Sequence, residues 1–131
     1  MSAYLQRLKV RPSLDDLTRA EAHYLHHHFD TFAGEVVING ETIHWDWIEA
    51  VEIAKAARAA GPAGWLVRYF VHGNERYHVG IYGGQRETVL TNVTLHVARF
   101  ITQAIAFYSP APVAYTGPEG FSPTAPAQET P

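Results

Sequence analysis

The chain reads as an α+β protein: antiparallel hairpins forming a small sheet or partial barrel, capped by a C-terminal amphipathic helix, with an additional N-terminal helix. Three observations carry that reading. Asn39-Gly40 separates two strand-like runs, apolar residues alternate at Tyr77, Val79 and Ile81, and residues 93–108 repeat apolar side chains at helical spacing. Of the 131 residues 47% are hydrophobic, more than disorder tolerates, so one domain with one core is expected over residues 1–108.

Ser13 to Phe29 is read as the first helix. Ser13 can cap it, Asp15 and Asp16 suit its positive end, and Leu14, Leu17, Tyr24, Leu25, His28 and Phe29 form a stripe interrupted by Glu21. Next comes a hairpin, Glu35–Ile38 and Glu41–Trp47. Its Asn39-Gly40 turn tolerates the positive φ angles of a type I′ turn, which sets Val36 opposite Ile43 and Ile38 opposite Glu41. Trp45 and Trp47 then share a side with Val36 and Ile38, and His44 and Asp46 take the other.

Ile48 to Ala60 has capping-box order at Asp46-Trp47-Ile48-Glu49, helix-favouring composition and a Gly61-Pro62 stop, so local propensity favours a helix. A strand through Ile48, Val51 and Ile53 is the competing reading. A second hairpin is expected from Trp65–Val71 and Arg76–Tyr82 around Gly73-Asn74, pairing Phe70 with Tyr77, Tyr69 with His78 and Leu66 with Ile81. Its first face (Leu66, Phe70, Tyr77, Val79, Ile81) reads as core. Its second (Trp65, Val67, Tyr69, His78, Tyr82) is apolar enough to need cover. Gly83-Gly84 ends this strand, and Glu87–Leu90 can add a short one. Thr91 or Asn92 caps the last helix, which runs to Tyr108 with Arg99 and Gln103 on its polar side. Residues 109–131 hold six of the eight prolines and read as an extended or disordered tail with Tyr115 and Phe121 as aromatic handles.

Ten basic and thirteen acidic residues give a net charge of −3, without the basic patch that a nucleic-acid partner requires. The absence of cysteine excludes disulfides, thiolate nucleophiles and thiolate zinc sites. No run approaches the ~18 apolar residues of a membrane span, and no signal peptide is evident, so a cytoplasmic protein is expected.

Glu35–Trp47, Trp65–Tyr82 and the helix Val93–Tyr108 together resemble a bacterial pleckstrin-homology-like domain over about residues 35–108. That resemblance implies a binding module rather than an enzyme. Lipid-headgroup binders of that family use a basic loop, which the Asn39-Gly40 turn does not supply, so no lipid specificity is carried over. A helix at residues 48–60 and the N-terminal helix depart from the pattern.

Candidate chemistry centres on the eight histidines. His23 and His27 lie four apart and could share a metal ion, but zinc sites need three or four ligands, and surface histidines are the reading adopted for residues 23–28. His44 and Asp46 are the beginning of general-base machinery without a nucleophile. His78 near Arg68 and Arg76 could line a pocket, and Gly83-Gly84-Gln85-Arg86 reads as a plain turn rather than a phosphate loop. No metal or cofactor is expected. The resulting expectation is a non-enzymatic interaction module, a small subunit or accessory factor that binds a protein or itself through Trp65, Tyr69, His78, Tyr82, Tyr115 and Phe121. The alternative is a small-molecule-binding protein or small enzyme built on His44, Asp46 and His78.

Overall fold

The computed structural model describes residues 2–5, 11–56 and 76–118. Its elements are β1 (Ser2–Leu5), α1 (Arg19–His28), β2 (Phe29–Thr31), β3 (Glu35–Ile38), β4 (Glu41–His44), β5 (Ala50–Lys55), β6 (Tyr77–Gly83), β7 (Arg86–Val93), α2 (Leu95–Tyr108) and β8 (Val113–Thr116). A mixed five-stranded sheet runs β1-β8-β5-β6-β7, and β2-β3-β4 form a separate antiparallel ribbon. The α+β class expected from the sequence is the one found.

Helix α2 organises the core. Its buried positions are Val97, Ala98, Phe100, Ile101, Thr102, Ala104, Ile105 and Ala106. At 100° per residue they sweep roughly 240° of the helix, wider than the stripe of a helix packed on one side. The main sheet meets α2 at β6, and α1 packs on it from elsewhere. At its C-terminal end Tyr108 stacks on Trp45, with centroids 4.8 Å apart and planes 12° apart. The Trp45 indole also donates to the carbonyl of Phe32 at 2.7 Å, so the turn after the ribbon is pinned to the helix. Thr94, not Thr91 or Asn92, caps α2, its hydroxyl accepting from the amide of Val97.

The first helix is shorter than expected. Ser13 instead accepts the amide of Asp15 in a turn, Leu14 stays exposed, and Thr18 caps α1. Glu21 completes the capping box by accepting the amide of Thr18 at 2.8 Å. Its second oxygen accepts the hydroxyl of Thr94 at 2.6 Å, with His96 3.7 Å away. The polar residue that interrupts the apolar stripe therefore ties the N-terminus of α1 to that of α2.

The Asn39-Gly40 hairpin has its expected register, Val36 opposite Ile43 and Ile38 opposite Glu41, with both turn residues at positive φ. Phe29–Thr31 adds an unforeseen third strand. Alternation places both Trp45 and Trp47 on the side of Val36 and Ile38. Trp45 is buried, but β4 stops at His44 and residues 45–47 form one 3-10 turn, which leaves Trp47, the residue ending the expected hairpin, 48% exposed.

Residues 50–55 correct the helical expectation: they form β5. Val51 and Ile53 are buried while Glu52 and Ala54 are exposed, the period of two of a strand, and β5 pairs with β6 on one side and β8 on the other. Sheet pairing and burial outweigh helix propensity, which amounts to only tenths of a kcal/mol per residue. The same pairing displaces the expected second hairpin. Tyr77 pairs with Lys55 and Val93, and Ile81 with Val51 and Thr88, so both edges of β6 are occupied. Residues 57–75, with Trp65 and Tyr69, lie outside the described residues. The strand after β6 is longer than expected and follows a two-residue turn at Gly84-Gln85, with φ of 56° and 67°. Gly83 stays glycine for space: a Cβ there would lie 1.8 Å from the carbonyl oxygen of Trp47.

The supposed tail enters the sheet. Val113–Thr116 forms β8, parallel to β5 and antiparallel to β1, with Val113 and Tyr115 buried. Residues 119–131, including Phe121, lie outside the described residues.

Burial raises the Glu21 carboxyl pKa, but the hydrogen bonds from Thr94 and Thr18, with His96 nearby, outweigh it and hold the group below its ordinary 4.5. A lowered carboxyl pKa contributes stability above the ordinary value that is lost as pH falls through the folded value. Glu21→Gln should therefore cost about 1 kcal/mol at neutral pH. Urea titrations should show the gap to wild type closing in the acid range below 4.5.

Candidate functional site

The strand registers place Glu52 and Ala54 of β5, His78, Gly80 and Tyr82 of β6, and Glu87 and Val89 of β7 on one face of the main sheet. The opposite face carries Val51, Ile53, Val79, Ile81 and Leu90, all buried. Glu52, Ala54, Glu87 and Val89 meet solvent, Val89 at 40% exposure, with His78 and Tyr82 half-buried among them.

Tyr82 is positioned by its neighbours. Its ring lies over Gly80, two residues earlier on the same face, where an added Cβ would come 2.8 Å from the phenol oxygen. The hydroxyl donates to Glu52 Oε1 at 3.0 Å across the strand pair. Glycine leaves a hole in the sheet surface, and an aromatic folded over it restores packing. The hydrogen bond to Glu52, then burial, then the charges of Glu52 and Glu87 push the phenol pKa up to about 12.

His78 has a structural role. Between Tyr77–Val93 and Val79–Leu90 the register slips, and two β7 residues, Thr91 and Asn92, face His78 alone. Asn92 takes a φ of 59°, and its amide donates to Nδ1 of His78 at 3.2 Å. That bond satisfies a backbone donor that the bulge would otherwise orphan, in place of the expected pairing with Tyr69.

Of the other sequence candidates, Tyr115 is no surface handle. It is buried, its hydroxyl donates to the carbonyl of Pro118, and burial pushes its phenol up to about 12. His44 and Asp46 line an open cleft of about 260 Å³ with Ala33, Gly34, Trp45, Tyr108 and Pro110. There the His44 ring meets Trp47 edge-on at 4.8 Å rather than pairing with Asp46. His78 is not part of that cleft, so the three-residue site imagined from sequence is not assembled. A narrow apolar groove between Ile43, Trp47 and Ile48 and the β6-β7 turn lies beside Tyr82. Among the described residues no three His, Asp or Glu side chains gather as a metal site, and no helix is long and apolar enough to cross a membrane.

Sequence reasoning missed Glu52, because it fell in the supposed helix, and Val89, because only strand formation was considered there. The Gly80-x-Tyr82 spacing on a strand was the available signal. No protein-family model matches the chain, and neither a curated protein nor a solved structure is significantly similar to it.

Because the Tyr82 shift depends on Glu52, Glu52→Gln should bring the phenol from about 12 back toward its ordinary 10.0. Gly80→Ala should do the same by displacing the ring. Both are read from the Tyr82 ring signals in an NMR titration, which separates them from Tyr115.

Proposed function

We propose that this protein is a non-enzymatic interaction module, a small subunit or accessory factor of a larger assembly, whose contact surface is the outer face of the main sheet. The observation that supports this most is the face itself. Exposed Val89 and Ala54 lie beside an aromatic held in place by Gly80 and Glu52, with acidic residues at the margin. An apolar centre with a polar rim is the anatomy of a protein contact. A tyrosine whose orientation is fixed before binding loses little entropy on association, and tyrosine is among the residues that dominate interface energetics. The resemblance to pleckstrin-homology-like domains supports a binding role: residues 50–55 form the strand that pattern calls for, whereas β8 extends the chain beyond its closing helix.

The cleft of His44 and Asp46 supports a second reading as a small-ligand site. It combines an imidazole, a carboxylate and the Trp45–Tyr108 stack around one opening. The His44 ring packs on Trp47 rather than on Asp46, so the imidazole and carboxylate do not work as an oriented base, and binding rather than turnover is the activity the cleft favours.

The test is affinity capture from native lysate with three chains: full length, Tyr82→Ala with Val89→Glu, and a version ending after Pro118. The shortened chain ends after Pro118 so that β8 is kept. The full chain and the shortened one are expected to retain a common partner that the double variant loses by at least tenfold, with circular dichroism unchanged. A partner held equally by the double variant would contradict the assignment of this face.

A further inference from the structure

The exposed side of α1 carries three histidines that the core does not use: His23, His26 and His27. The rings of His23 and His27, one turn apart, have centroids 4.3 Å from each other, and His26 meets His27 edge-on at 5.3 Å. The Nδ1 of His27 lies 3.1 Å from the carbonyl oxygen of His23. A carbonyl only accepts, so Nδ1 carries the proton and Nε2 of the neutral ring keeps its lone pair. Imidazoles that bind metals are commonly held in this way, with the second ring nitrogen donating to a backbone carbonyl or carboxylate.

We propose that His23 and His27 form a two-histidine chelate for one divalent late transition-metal ion, with water in the remaining coordination positions. The donors set the class of ion. Imidazole nitrogen suits Cu²⁺, Ni²⁺ and Zn²⁺, whereas Mg²⁺ and Ca²⁺ demand oxygen ligands, and the affinity order should place Cu²⁺ above Ni²⁺. Bridging positions i and i+4 also clamps the last turns of α1, so the bound ion stabilises the folded chain by mass action.

Tag-free full-length protein is titrated with Zn²⁺ and, separately, Mg²⁺ by calorimetry and by NMR of the histidine rings. One Zn²⁺ per chain is expected, with shifts centred on His23 and His27 and no response to Mg²⁺. His23→Gln or His27→Gln should each weaken binding by at least about tenfold, the lower bound for losing even an outer-shell partner of a metal ligand. His44→Gln and His96→Gln should leave it unchanged. No saturable binding, or a loss shared equally among all four variants (an adventitious ion only), would overturn the proposal. All of these side chains are exposed, so folding of the variants is not at issue.

Discussion

Helix α2 gives up solvent over most of its circumference, and the other elements are arranged to make that possible. Burying Val97, Phe100, Ile101 and Ile105 contributes on the order of 6–12 kcal/mol before entropy is counted, comparable to the net stability of a whole domain. One layer cannot cover such a helix. The main sheet takes one side, while α1 and the turn carrying Trp45 approach from others, fixed by the Glu21–Thr94 hydrogen bond at one end and the Trp45–Tyr108 stack at the other. The sheet consequently spends a single face on the core. Its other face, with Tyr82 and Val89, remains toward solvent.

Much of this was legible where the signal is local. Asn39-Gly40 dictates its own turn, and the turn sets the ribbon's register. The burial of Tyr77, Val79 and Ile81 and the apolar side of α2 follow from periodicity. What stayed hidden depends on pairing between distant segments. Residues 50–55 look helical until β6 and β8 are in place on either side of them. Val113–Thr116 has strand-like alternation, but Pro110, Pro112 and Pro118 mask it, even though prolines flanking a strand bound it rather than break it. Glu21 looked like a flaw in an amphipathic stripe because its second partner, Thr94, is 73 residues away.

The candidate site was readable to the same degree. Tyr82 could be chosen from sequence as a surface aromatic, but its orientation could not, since that requires Glu52 on the neighbouring strand. His78 looked chemical and proved architectural: its ring serves a backbone amide at a bulge that no local pattern announces. His44 and Asp46 do share a cleft, yet the 3-10 turn that begins right after His44 and contains Asp46 sets the His44 ring against Trp47 instead of the carboxylate. For Tyr82 and His78 the residue type was identifiable and the role was decided by a partner on a neighbouring strand; for His44 it was decided by a local turn that strand periodicity does not announce.

The main sheet is two-faced, one side closed by α2 and the other open. The most direct measurement is NMR relaxation with a soluble paramagnetic probe on the full chain. Signals of Val89, Ala54 and Tyr82 should broaden strongly, while those of Val79, Ile81, Ile101 and Ile105 stay sharp. Protection of Val89 and Tyr82 equal to that of Ile101 would mean that the outer face is covered within the molecule, and would contradict the account.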